Sequence, residues 1–264
     1  MIFKSFFIKS LLYLVFILSF TLSYSLILTA QESEPDPIIL IPGIGASWNW
    51  EIMLDRGAEG VWDFLPLSDE YENLISSLEE QGYIKGQTLF IVFYDWRKTN
   101  QISATEYLIP IIDQALQNSN SGYVDIIAHS MGGIVARSYI QGNSYRGDVD
   151  QLIMIGTPNF GSSDVYSLWE GGLVPKNWDD GLKNVLGFYL WYMTTVTAQT
   201  ADNYDTIHQH IPSIHDLLPT YDYLVDAQTN EIQDVDDMVV KNIFLEAIEA
   251  LNNNLKELNK AVSK

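Results

Sequence analysis

The stretch "DIIAHSMGGIVAR" (Asp125–Arg137) sets Ser130 between an apolar run that reads as a strand and a glycine-led run that reads as a helix. A serine at such a junction can be lifted clear of a sheet on a tight turn, while the new helix points free N–H groups at any anion formed there. The turn demands small residues two before and two after the serine, because strand and helix pass too close for larger side chains. Ala128 and Gly132 occupy those positions, and Gly133 adds room. The matching chemistry is attack on a carboxylic ester through an acyl-serine, with two main-chain N–H groups stabilising the tetrahedral oxyanion. Met131, directly after the serine, supplies one donor. Ile44, in the glycine-flanked turn "PGIGAS", is the natural second.

Four short apolar runs could carry these groups: "PIILIPGIG" from Pro37, "TLFIVFYDW" from Thr88, "YVDIIA" from Tyr123 and "DQLIMIGTP" from Asp150. Three helix-like runs alternate with them. The first, "LSDEYENLISSLEEQGY", has Ser68 as its cap and Tyr71, Leu74, Ile75 and Leu78 on one face. The second starts from the capping box "SATE" (Ser103 to Glu106), with Ile102 and Tyr107 as a hydrophobic staple and a kink at Pro110. The third is "GGIVARSYIQG". This alternation predicts an α/β fold, a mostly parallel sheet with helices on both faces, whose reactive groups gather at the carboxyl ends of the strands. Ser130, Ile44, Tyr94 to Arg97 and Thr157 to Asn159 fall at such ends, with Asp95 and Arg97 read as a loop-bracing ion pair. From Ser162 to about Ile211 the rhythm gives way to an irregular aromatic segment, with Trp169, Trp178, Phe188, Tyr189, Trp191 and Tyr192, read as a lid over the strand ends or as ordinary aromatic core. A long amphipathic segment closes the chain, its face made by Val239, Ile243, Phe244, Ala247, Ile248 and Leu251.

Composition bounds the rest. At 264 residues, 47% hydrophobic and 18% charged, the chain suits one packed domain. A net charge of −20 repels nucleic acid and anionic membrane surfaces. No cysteine is present, which excludes disulfides, thiolate metal sites and a cysteine nucleophile. Residues 1–30 carry Lys4 and Lys9, then an uncharged apolar stretch from Ser10 to Gln31 with Ala30 near its end. This is the pattern of a signal peptide, or of an anchor left uncleaved. The expectation is a secreted protein or one held to the membrane by that segment, with residues 31–264 as the domain, residues 162–211 as its lid, and any other membrane contact made at a lipid interface.

Taken in order, "IPGIGAS", "YDWRK", "AHSMGGIVAR", "GTPNFGS" and "LLPTYDYL" resemble the α/β-hydrolase lipases, in the branch of the lecithin:cholesterol acyltransferase-like enzymes and bacterial secreted lipases. The resemblance implies an α/β-hydrolase fold and makes Ser130 the acyl-accepting nucleophile, with Ile44 and Met131 as backbone donors. It implies a lipase, esterase or acyltransferase acting on lipid esters without metal or organic cofactor. The family's usual His-Gly before the oxyanion residue is Pro42-Gly43 here.

A serine nucleophile needs a histidine base oriented by a carboxylate, in the chain order Ser, Asp or Glu, His. In the resembled enzymes both follow the "LLPTYDYL" motif, yet after His215 the chain contains no histidine. Asp202 or Asp205 with His208, His210 or His215 has the right order but no preceding strand to carry it. The expectation is an amino-terminal portion of a hydrolase, lacking its last strands and completed by a further carboxyl-terminal segment. The alternative is a non-catalytic binding or surface module on the same scaffold.

Overall fold

Strand β1 (Ile38–Ile41) is apolar at every position and buried on both faces in the computed structural model of the chain, as a central parallel strand must be. The structure describes residues 35–54, 57, 59–65 and 69–250; the leader read in residues 1–30, the Ser68 cap and Leu251 lie outside them. All described residues but Pro35 belong to one unit, Asp36–Lys264. After β1, a two-stranded hairpin of β2 (Ser47–Trp48) and β3 (Asp63–Phe64) encloses the short helix α1 (Trp50–Met53). Then come α2 (Asp69–Glu80), β4 (Leu89–Ile91), α3 (Asn100–Ser103), a π turn at Ala104–Leu108, and α4 (Ile109–Asn118). Strand β5 (Val124–His129), helix α5 (Met131–Ile140) and strand β6 (Val149–Ile155) follow.

The sheet order is β4-β1-β5-β6, parallel throughout. Its register sorts the side chains into two layers. Ile91, Leu40, Ile127 and Ile153 stand in line on one face, and Phe90, Ile39, Ile126 and Leu152 on the other. Helix α2 covers the first face with Tyr71 and Ile75, whereas the π turn, α4 and α5 cover the second with Leu108, Ile112, Ala115, Ile134 and Val135. Every residue of α5 is buried, and its two polar side chains find partners there, Arg137 in Gln141 and the Asn159 carbonyl and Ser138 in the Ile134 carbonyl. The expected parallel α/β sheet with helices on both faces is therefore present. Its β6 edge is bare: among the described residues β6 pairs only with β5, and Ile153 and Ile155 are 49% and 46% exposed.

Three local expectations fail. The second helix begins at Thr99, whose hydroxyl accepts from the Ile102 N–H; Ser103 is already helical and buried, and Ile102 is exposed rather than stapled. The reason is tertiary, because buried Asp216 accepts from the Asn100 N–H at 2.7 Å and pins the helix start there. The irregularity around Pro110 takes the form of the π turn, in which the Ile109 N–H reaches back to the Ala104 carbonyl.

The segment read as irregular is helical: α6 (Asp164–Gly171), α7 (Asp180–Trp191), a π turn at Tyr192–Val196, α8 (Asn203–His210) and a 3-10 turn at Pro212–Leu217. Val185, Leu186, Tyr189, Leu190 and Met193 form the buried stripe of α7 and its extension, and Asp179 and Asp202 cap α7 and α8. Beyond it, a hairpin of β7 (Leu224–Val225) and β8 (Ile232–Gln233), absent from the sequence reading, precedes α9 (Ile243–Ala250). The long closing face is also corrected. Val239 is fully exposed and Ile243 69% exposed, while Leu245 and Ile248 are the buried pair. Asn242 sets that register by capping α9 through Leu245 and bonding the Asp216 and Leu218 carbonyls.

Candidate active site

Ser130 has φ 51° and ψ −127°, the first central position of a type II′ turn, which glycine normally takes. A side chain held there costs about 1–3 kcal/mol. The junction is clamped from both sides: the Ser130 N–H donates to the Ile155 carbonyl at 2.9 Å, and the Ser130 carbonyl accepts from Gly133 at 3.0 Å. The small neighbours are sterically required. Ala128 is fully buried, a methyl group on Gly132 would lie 2.5 Å from the Ile41 carbonyl oxygen, and one on Gly133 would lie 2.0 Å from Thr157 Oγ1.

The serine is partly exposed and lines a cavity of about 390 Å³. The turn after β1 forms one wall, approaching so closely that a Gly43 Cβ would sit 2.9 Å from Ser130 Cβ. Ile44 follows on this wall, and Met131 opens α5 on the other side of the serine. The fold thus brings Ser130, the Ile44 turn and the amino-terminal end of α5 to one place. The roof is the first turn of α7, where Asp179, Gly181, Leu182 and Val185 face the cavity and Leu182 packs against Gly45. Ala46 and Leu65 complete a largely apolar lining.

Sequence reasoning missed two tyrosines. Tyr71, assigned to the core face of its helix, is buried, but its hydroxyl accepts from the Gly43 N–H at 2.9 Å and lies 2.6 Å from His129 Nδ1. Tyr94 donates to the Pro42 carbonyl at 2.8 Å, and burial raises its phenol well above the ordinary range, so it remains a donor. A phenol on an otherwise aliphatic face, needing a polar partner once buried, was the available signal.

The carboxyl-terminal histidines serve packing. His208 is stacked between Trp169 and Tyr204, with Nε2 2.9 Å from the Trp169 carbonyl oxygen. His215 lies edge-on to Trp169, and burial, then His208, lower its pKa. His210 borders a separate cleft of about 460 Å³. Asp202 is spent as the α8 cap. Among the described residues lining the Ser130 cavity, His129 is the histidine and Asp179 the carboxylate, and both are engaged, by Tyr71 and by the Leu182 N–H. Asp95 and Arg97 form the expected brace, with Arg97 Nη2 2.7 Å from Asp95 Oδ2 and further bonds to Met53 and Tyr189. Burial opposes the Arg97 charge, but the Asp95 bonds outweigh it and hold the guanidinium protonated.

At the opposite end of the strands, carboxylate oxygens of Asp36, Asp125 and Asp150 lie within 4.8 Å of one another. They are remote from the serine chemistry. The motifs "GTPNFGS" and "LLPTYDYL" meet: Gly161, at φ 79°, lies so close to the Leu218–Pro219 backbone that a Cβ would be 2.1 Å from the Leu218 oxygen.

Residues 61–176, which include Ser130 and Met131 but not Ile44, match the model of the lecithin:cholesterol acyltransferase family. Over this stretch, a little under half of its length, the chain is similar to that family. It is also 27% identical over 199 residues to Phospholipase A(1) LCAT3 of Arabidopsis thaliana, covering 70% of this chain and 41% of that protein. The chain therefore spans about two fifths of the length of this curated relative. Among solved structures, the mature lipase BlEst2 of Bacillus licheniformis superposes with a TM-score of 0.37 at 18% identity, over 66% of this chain and 64% of that one. A chain of the Tle4–Tli4 complex gives 0.33 at 17%, over 88% and 49%. The lecithin:cholesterol acyltransferase match covers α2, the strand-to-helix turn at Ser130 and α6.

Proposed function

We propose that the protein is an exported serine hydrolase of lipid esters, cleaving them, or transferring their acyl group, through an acyl-Ser130 intermediate. The observation that carries this reading is the strained, partly exposed Ser130 at the mouth of an apolar cavity, between the Ile44 turn and the first turn of α5. In this reading Ser130 Oγ attacks the ester carbonyl, its proton passes to a base, and the carbonyl oxygen takes the negative charge opposite the Ile44 and Met131 N–H groups. Collapse expels the alcohol; water or an acceptor alcohol then releases the acyl group.

The partial family match and the name of the curated relative support a lipid substrate, as does the aromatic surface of α7. Phe188 and Trp191 are 38% and 52% exposed and join Trp48 and Trp50 in a chain of ring contacts. Rings of this kind favour a lipid–water interface. Residues 1–30 supply export or anchoring in this proposal.

The base and its orienting carboxylate are assigned to a complementing segment docking beside the bare β6 edge, one strand away from Ser130. A triad without its histidine loses on the order of 10⁶ in kcat, and binding with the oxyanion donors retains about 10³–10⁴ over water. The second reading, a non-catalytic module, is favoured by the engaged state of His129 and Asp179. A fluorophosphonate probe separates the two. Labelling that disappears in Ser130→Ala when the complementing segment is supplied supports the hydrolase, whereas no labelling under that condition, or equal labelling of both proteins, favours the module.

A further inference from the structure

One peptide group in front of Ser130 is held at both of its polar atoms by phenols. The Pro42 carbonyl accepts from Tyr94, and the Gly43 N–H, on the other side of the same peptide plane, donates to Tyr71. The next N–H along the chain is that of Ile44. Tyr71 also reaches His129 Nδ1 at 2.6 Å, the residue before the nucleophile. A hydroxyl that accepts from Gly43 can still donate its own proton to Nδ1, which would leave the His129 proton on Nε2.

We infer that Tyr71 is a positioning residue that fixes the oxyanion turn and ties it to the nucleophile elbow through His129; this rests on the reading of Ile44 as an oxyanion donor. The turn needs such a tie. Gly43 and Gly45 flank Ile44, Gly45 has φ 82°, and a peptide beside glycine rotates readily unless both of its ends are bonded. Oxyanion stabilisation depends on donors oriented before the charge develops. The Tyr71 ring is itself immobilised by Phe64, stacked at 5.0 Å and 11°, which is in turn edge-on to Phe93 at 4.9 Å. Helix α2 thereby acts on the site through one oxygen atom.

The test uses the whole chain as wild type, Tyr71→Phe and Tyr94→Phe, followed by the rate of fluorophosphonate labelling, the Gly43 amide exchange rate, and the ¹⁵N signals of His129. Tyr71→Phe should slow labelling about tenfold, speed Gly43 exchange at least tenfold, and release His129 into a mixture of tautomers. Tyr94→Phe should slow labelling while leaving the His129 tautomer unchanged. Equal labelling rates in labelled wild type and Tyr71→Phe overturn the inference. So does a wild-type His129 with its proton on Nδ1, a measurement that needs no variant to fold. If the wild type does not label without its complementing segment, the clamp is judged on exchange and tautomer, where unchanged Gly43 protection in Tyr71→Phe refutes it.

Discussion

Gly132 has the sharpest steric constraint beside the serine. In an ordinary helix, replacing glycine by alanine stabilises by about 0.5–1 kcal/mol. Here the added methyl group would meet the Ile41 and Pro42 carbonyl oxygens at 2.5 and 2.6 Å, backbone atoms that cannot rotate away. The sign reverses, and Gly132→Ala should destabilise by about 1–3 kcal/mol in urea unfolding. It should also slow labelling of Ser130, since relief of the clash separates α5 from the β1 turn. The small residues around Ser130 were legible in the sequence because they answer to local sterics. Tyr71 was not, because its pattern reports burial, and the partner of its oxygen lies 28 residues away.

At the scale of elements, α7 contributes Leu182 and Val185 to the cavity at its beginning and a ring surface at its end. These two parts should separate experimentally. Trp191→Ala removes an exposed ring that lines no part of the Ser130 cavity, so partition onto neutral phosphatidylcholine vesicles, measured by co-sedimentation, should fall about tenfold, the equivalent of about 1.4 kcal/mol. The melting temperature should remain nearly constant. Elements whose apolar pattern matched their own burial were readable: the four sheet strands, α2 and α5. The helices between residues 164 and 210 were hidden because α7 buries adjacent residues, Val185 with Leu186 and Tyr189 with Leu190, while leaving Phe188 and Trp191 outside. Apolar residues on both sides blur the helical period. The start of α3 was decided by Asp216, 116 residues later, which no local signal could convey.

For the molecule as a whole, the excess of acid shapes stability against pH. Burial first, then Asp36 and Asp150, push the Asp125 carboxyl up to about 6 from 3.8. A carboxyl that binds its proton more tightly in the fold than in the unfolded chain costs nothing below about pH 4. Its penalty grows as pH rises from about 4 to 6 and is complete above that. Asp125→Asn should therefore raise the melting temperature at pH 7.5 by about 2–4 °C, a gain of about 1 kcal/mol once solvent screening is allowed for, and leave it unchanged near pH 4. Calorimetry at the two pH values checks the sign. Asp216, also raised to about 6 by burial and drawn back by its bonds to Asn100, titrates in parent and variant alike, so the difference isolates Asp125.

The bare rim of β6 has a cost of its own. Main-chain groups of β6 that pair with no further strand among the described residues, beside two half-exposed isoleucines, are a template that an extended polypeptide can read, including a second copy of the same chain. Mutual repulsion between copies bearing −20 each works against such stacking, and added salt weakens that protection. Keeping this chain dispersed is thus a matter of ionic strength, and clumping should set in first in concentrated brine.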